Sequence, residues 1–135
     1  MTITYRTGND LDLDEVIALY EKSTLGARRP VGDRERMRAM LERANLVVTA
    51  WDGDKMVGIS RSLSDFAWCT YLSDLAVDAA YQKSGIGREL VRRTRELGGR
   101  ATVFLFSAPA AEGYYPRVGF QSGSGWMLRE NDPLR

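Results

Sequence analysis

Six consecutive residues, Gln82-Lys83-Ser84-Gly85-Ile86-Gly87, have the types and spacing to hold a phosphate. Glycine at 85 and 87 leaves no side chain to block an anion. The main-chain N–H groups of a loop entering a helix converge on one spot, where the helix dipole also favours negative charge. A pyrophosphate suits such a cradle, with Arg88 in the first helical turn adding charge and Lys83 close by. Two familiar phosphate loops do not fit. A Walker loop needs glycine followed directly by lysine and a hydroxyl residue, whereas Gly87 is followed by Arg88 and Glu89. A dinucleotide fingerprint needs a third glycine where Leu90 stands. ATP hydrolysis and nicotinamide chemistry therefore lose their main support.

Absent residue types narrow the chemistry further. The chain has no histidine and a single cysteine, Cys69, so it contains no Ser-His-Asp or Cys-His nucleophile, no histidine-bound zinc and no internal disulfide. Proton transfer near neutral pH must fall to carboxylates, tyrosines, lysines, the amino terminus or water. No base is recognisable beside Cys69, which makes a covalent acyl-enzyme a poor expectation.

The elements that must position the hexapeptide read as one alternation of strands and helices. Ile3 to Arg6 is a short strand. Asp12 and Glu15 form a capping box for a helix whose Leu13, Val16, Ile17 and Tyr20 share a face. Ser23 to Gly32 has turn chemistry, and a second helix follows Asp33 with Met37, Met40, Leu41 and Ala44 as its apolar stripe. Leu46 to Trp51 and Met56 to Leu63 flank Asp52-Gly53-Asp54-Lys55 as an antiparallel hairpin. Tyr71 to Val77 is the strand feeding the hexapeptide, and Gly85 to Leu97 is an amphipathic helix with Ile86, Leu90, Thr94 and Leu97 on one face. Thr102 to Phe106 reads as a strand buried on both sides. Ser107 is placed to cap a short helix, Pro116 to stop it, and Phe120 with Trp126 to Leu128 to form a closing strand pair. This order predicts an α/β domain with a mixed sheet and helices on both faces.

The hexapeptide resembles the (Gln/Arg)-x-x-Gly-x-(Gly/Ala) acyl-coenzyme-A signature of the GNAT superfamily of N-acetyltransferases. Leu72-Ser73-Asp74-Leu75-Ala76-Val77 is similar to that family's central strand. Ala111-Glu112-Gly113-Tyr114-Tyr115-Pro116-Arg117-Val118-Gly119-Phe120 resembles its aromatic-Tyr-x-x-x-Gly-Phe segment. The resemblance in element order covers nearly the whole chain. It implies a mixed, mostly antiparallel central sheet flanked by about four helices, all in a single domain spanning 1–135. It also implies acetyl-CoA as acetyl donor and an amine acceptor, a small molecule or a peptide, attacking directly in a ternary complex. By the same resemblance, Leu75, Ala76 and Val77 would offer main-chain groups to the pantetheine arm. Gln82, Lys83, Ser84, Gly85, Ile86, Gly87 and Arg88 would hold the pyrophosphate, Ser107 would touch the cofactor arm, and Tyr115 would protonate the departing thiolate. An unperturbed phenol, with a pKa of about 10, carries its proton at neutral pH. Some members carry a glutamate base on the central strand, where this chain has Tyr71, so Asp74 stands as the substitute base beside a water chain. Arg28 and Arg29 fall in the loop that borders the acceptor in the family, and would suit an acceptor bearing a carboxylate.

Bulk properties agree with a compact catalytic or binding domain. The chain has 135 residues, 44% hydrophobic and 27% charged, enough for a real core. Its formal net charge of +1 is too small for a general nucleic-acid binder. No apolar run reaches the roughly 20 residues of a membrane span, and Met1 to Gly8 lacks the plan of a secretory signal, so cytoplasmic residence is expected. A homodimer through exposed sheet edges is a further expectation. The rival reading is an acyl-CoA-binding sensor or regulatory module that kept the pocket and lost the chemistry. Phe66, Trp68 and Tyr71 are expected to pack in the core or on a sheet face, with lining of an acceptor groove as the alternative, and Cys69 to be a small buried hydrophobe.

Overall fold

Two aspartates open the first two helices. Asp12 accepts from the Asp14 amide at 3.0 Å to start α1 (Leu13–Lys22), and Asp33 accepts from the Arg36 amide at 3.1 Å to start α2 (Arg34–Arg43). The computed structural model describes residues 2–135; Met1, and with it the amino terminus, lies outside the described residues. The chain divides into two compact units, one running to Leu105 and one spanning Phe106–Arg135.

The first unit holds a five-stranded sheet of β1 (Ile3–Thr7), β2 (Leu46–Asp52), β3 (Lys55–Ser64), β4 (Cys69–Val77) and β5 (Thr102–Phe104), in that spatial order. All neighbours are antiparallel except β4 and β5, which run parallel across α3 (Ile86–Leu97). Gly53, at φ +61°, makes the β2–β3 turn that Asp-Gly announced. One face of the sheet packs Leu13, Val16, Leu19 and Tyr20 of α1 and Met37 and Leu41 of α2 against Val47, Ile59 and Ala76. The other packs Ile86 and Leu90 of α3 against Val48, Ala50 and Val57. Two bulges let both faces be filled. Val57 is the extra residue of β3 opposite β2, and Ser73 the extra residue of β4 opposite β3.

Gly58 sets how closely α3 approaches the sheet. A Cβ there would lie 3.0 Å from Ile86, 3.1 Å from Leu90 and 3.3 Å from Ala50. Gly58→Val is therefore expected to overpack this contact and lower stability by about 1–3 kcal/mol, read as a fall in the urea midpoint.

Several expectations needed correction. The strand expected over Thr102 to Phe106 is three residues long and lies at the edge of the sheet, paired only with β4, so Phe104 is half-exposed rather than buried on both sides. Its ring stacks on Tyr71 of β4, with centroids 5.2 Å apart. Trp68 is 81% exposed, Phe66 is half-exposed, and Cys69 is exposed instead of buried, because the β3–β4 connection turns outward around Asp65. That carboxylate accepts from the amides of Ala67, Trp68 and Cys69 at 2.9, 2.8 and 3.0 Å, and these donors hold it down at about 2. Leu97 is exposed where the helical stripe had placed it inward.

In the second unit a 3-10 turn (Pro109–Ala111) precedes α4 (Tyr114–Arg117). Ala108, not Ser107, occupies the cap of the 3-10 turn. Pro116 does not stop a helix but sits inside α4, within the first turn, where a missing N–H costs nothing. The closing strand pair at Phe120 and Trp126 to Leu128 does not form among the described residues, and Trp126 is 91% exposed. Ser122-Gly123-Ser124-Gly125 has little strand propensity, and an isolated pair of short strands is marginal in water.

Candidate active site

The hexapeptide leaves the C-terminal end of β4 as the sequence pattern required. Asp78 accepts from the Ala80 amide at 2.9 Å and starts a 3-10 turn (Ala79–Tyr81). The Tyr81 hydroxyl donates to Asp52 at 2.6 Å, and that carboxylate pushes the phenol up. The turn is thus bolted to the β2–β3 hairpin. Two polar side chains of the loop are spent on its shape: Gln82 Nε2 donates to the Val77 carbonyl at 3.1 Å, and the Ser84 hydroxyl donates to the Tyr81 carbonyl. Lys83 at φ +65° and Gly85 at φ +86° are both left-handed, which curls successive amides to one side. For Lys83 that conformation costs about 1–2 kcal/mol, a strain of the kind found at ligand-binding loops.

Gly85 caps α3 without a side-chain hydrogen bond, and a Cβ added to it would meet nothing within 4 Å. Among the described residues the amides of Ile86, Gly87 and Arg88 find no acceptor. The opening of α3 is therefore uncapped by any side chain, with three amide donors unspent. The charges further along α3 are engaged with one another. Glu89 receives Arg92 at 2.7 Å and Arg93 at 2.9 Å, and the two arginines hold its carboxyl down at about 2. Arg92 and Arg93 are thus a paired helix face, while Arg88 and Lys83, both exposed, have no ion pair among the described residues.

Beside this cradle β4 has an unpaired edge. β5 pairs with Cys69, Thr70 and Tyr71, so from Leu72 onward no strand among the described residues covers that side. The Asp78 amide donates to Val57 of β3 at 2.9 Å, so strand alternation turns the N–H and C=O of Ala76 toward β3 and those of Leu75 and Val77 toward the open edge. The Val77 carbonyl is the one Gln82 reaches. Leu75 and Val77, more than Ala76, present main-chain groups to an extended ligand.

Asp74 lies at the Ser73 bulge and is 0% exposed. Its Oδ2 accepts from Arg61 Nε at 2.5 Å and from the Tyr20 hydroxyl at 2.6 Å; its Oδ1 accepts from Arg29 Nε at 2.6 Å and from the Ser73 hydroxyl at 3.2 Å. Burial pushes this carboxyl up, but the hydrogen bond and charge of Arg61, with Tyr20 and Arg29, outweigh it and hold the group below its ordinary value. Burial and the Asp74 charge push the Tyr20 phenol far up. Four donors occupy the four lone-pair directions of the carboxylate. That geometry argues against Asp74 as a base that takes a proton from an acceptor. Arg61 and Tyr20 escaped the sequence reading, although Arg61 was the one charge in Met56 to Leu63 and Asp74 the one charge in Tyr71 to Val77. A lone charge of opposite sign in each of two neighbouring apolar strands was the available signal.

Ser107 and Tyr115 belong to the second unit. Tyr115 opens α4 together with Tyr114, and its ring stands edge-on to Tyr114 at 5.3 Å and to Phe120 at 5.4 Å. Its carbonyl accepts from the Phe120 amide at 3.0 Å, which ties the Gly-Phe end of the motif to the tyrosine.

An α/β unit whose parallel strand pair parts beside an uncapped helix N-terminus has the parts to seat an anionic group with an extended arm. The Acetyltransferase (GNAT) domain family matches residues 20–126, and the chain belongs to that family of acyltransferases. An uncharacterized N-acetyltransferase of Prochlorococcus marinus is 28% identical over 94% of this chain and 69% of its own length. A probable acetyltransferase of Glycine max is 24% identical over 89% of this chain, and the chain spans only 52% of that plant protein. Among solved structures, a GNAT-family acetyltransferase of Streptococcus pneumoniae superposes with TM-score 0.76 at 27% identity, covering 96% of this chain and 100% of the other. An aminoglycoside N-acetyltransferase in complex with CoA shares the fold, with TM-score 0.74 at 12% identity over 95% of this chain and 93% of its own. No helix of the described residues is long and apolar enough to cross a membrane.

Proposed function

We propose that this chain transfers the acetyl group of acetyl-CoA to an amine by direct attack in a ternary complex. The observation that carries the reading is the juxtaposition, in one unit, of the acceptor-free amides of Ile86, Gly87 and Arg88 with the unpaired edge of β4. The residues fit the group. The cradle is open at Gly85, its donors suit a diphosphate, and Leu75 and Val77 present strand-like partners for the amides of a pantetheine arm. Lys83 and Arg88 add positive charge at the cradle mouth, while Gln82 and Ser84 hold the loop in shape.

Coenzyme A supplies an activated thioester. The chain supplies orientation, which turns a bimolecular encounter into a local one, and donors for the charge that develops on the carbonyl oxygen. Tyr115, by its place in the aromatic-Tyr motif, donates a proton to the departing thiolate. Asp74 organises the strand bulge, and solvent takes the proton of the attacking amine. A homodimer through the outer edge of β5 belongs to the same proposal, and light scattering reads it.

Calorimetric titration of coenzyme A together with a thiol-release assay over amines, polyamines, amino acids and peptides tests this reading. Binding with turnover supports it; binding without turnover on any acceptor makes the chain a sensor; no binding removes it. Tyr115→Phe keeps the ring contacts with Tyr114 and Phe120. It is expected to lower turnover by about 100-fold with coenzyme A affinity unchanged.

A further inference from the structure

The buried cluster around Asp74 is unbalanced in charge. Two guanidiniums, Arg29 and Arg61, face one carboxylate, which leaves one positive charge over. Arg61 is the better neutralised of the two. Besides Asp74 it donates to the Met40 carbonyl at 3.1 Å, in the C-terminal half of α2, where the helix dipole is negative. Arg29 shares the same carboxylate, but its remaining partners are neutral carbonyls, Arg28 O at 2.8 Å and Ser73 O at 2.7 Å. A guanidinium carries five N–H donors, and three of Arg29's are used. Its side chain is 22% exposed, so the surplus charge sits where the cluster meets solvent. Arg28, beside it, is exposed and without an ion pair among the described residues. A half-desolvated cation with spare donors favours an anion over water.

Position links this charge to the reacting centre, given the proposed function on which this step rests. A pantetheine arm is about as long as four residues of extended chain. Laid from the cradle back along β4 past Val77 and Leu75, it would bring its thioester end to the Ser73 bulge, whose carbonyl Arg29 holds. We infer that Arg29, with Arg28 beside it, is the counter-ion for a carboxylate on the acceptor, so that the substrate class is amines that also carry a carboxylate, such as free amino acids or short peptides with a free C-terminus.

The test uses matched pairs: alanine, methionine and phenylalanine against their carboxamides as acceptors, and the N-acetyl acids against the N-acetyl amides as ligands of the cofactor-free protein. Each free acid is expected to be acetylated with kcat/KM about tenfold above its amide, carried by KM, and the N-acetyl acids to bind more tightly by a similar factor. Raising salt to about 0.5 M shrinks both ratios several-fold. Arg28→Ala, an exposed change, lowers the ratios about threefold. Arg29→Met brings them to one. Should Arg29→Met fail to fold, Arg28→Ala and the salt series carry the test. Equal or amide-favouring ratios, a preference for polyamines, or ratios indifferent to salt overturn the inference. If coenzyme A binds and no acceptor in the panel turns over, the ligand pairs decide: no difference between acid and amide overturns it. Loss of coenzyme A binding instead overturns the proposed function and is seen separately.

Discussion

Gly87→Trp is expected to lose coenzyme A binding by at least about 100-fold, close to 3 kcal/mol, while the protein stays folded with an unchanged or slightly higher melting temperature. Gly87 lies inside α3, so a side chain is conformationally acceptable there, and replacing a helical glycine recovers some of the about 0.5–1 kcal/mol it costs. The Cα–Cβ bond of a helical residue tilts toward the helix N-terminus, so an indole at 87 lies over the amides of the first turn. Gly87→Ala adds too little to cover them and should keep binding. Gly85 is constrained differently. It has open space for a Cβ but a left-handed backbone at φ +86°, so Gly85→Ala should lower stability by about 1–2 kcal/mol without obstructing the cradle. Calorimetric titration of each variant, set against its thermal melt, separates the two requirements. Normal coenzyme A binding by Gly87→Trp would place the cofactor elsewhere.

Those two glycines were legible in the sequence because their constraints are local. The same holds for Asp12 and Asp33 as helix caps, for the Asp-Gly turn between β2 and β3, and for the 3.6-residue stripe of α3, each a signal written within a few residues of the feature it sets. Glu89 and Arg93 were also readable, as an i, i+4 pair. Local pattern says less where the outcome depends on distant partners. An apolar run such as Thr102 to Phe106 looks the same at the centre of a sheet as at its edge, and only the strand order shows that β5 is outermost. Trp68 and Cys69 are apolar by composition, but the Asp65 carboxylate turns their segment outward by gathering its amides. The site splits along the same line. The cradle is contiguous in sequence and was visible. The cluster of Tyr20, Arg29, Arg61 and Asp74 draws on three elements and a loop and required the sheet register to assemble. The role first expected for Asp74 came from its place on the central strand. Of its neighbours, which decide what a carboxylate does, only Arg61 left a trace in the sequence, as the one charge of the adjacent strand.

Replacing Asp74 measures which role it has. Asp74→Asn keeps the shape but removes the one negative charge that faces Arg61 and Arg29, and leaves an almost fully buried guanidinium without its counter-ion. Breaking a buried pair from one side costs about 3–5 kcal/mol, a large share of the about 5–15 kcal/mol that holds a domain together. At about 3–5 °C per kcal/mol for a chain of this size, the melting temperature should fall by roughly 10–20 °C. The pH dependence identifies the cause. The folded carboxyl is held below the ordinary aspartate value of 3.8, so its contribution is complete above that pH and disappears as the pH falls through the lower folded value. The stability gap between wild type and Asp74→Asn should therefore be constant from about pH 5 to 8 and close below about pH 4 in paired urea titrations. A catalytic base would behave in the opposite way: the variant would melt with the wild type, lose turnover, and lose the alkaline-rising limb of the pH–rate profile. If Asp74→Asn is as stable as the wild type at pH 7, the four hydrogen bonds to this carboxylate do not hold the bulge of β4, and Arg29 loses the anchor that holds it at Ser73.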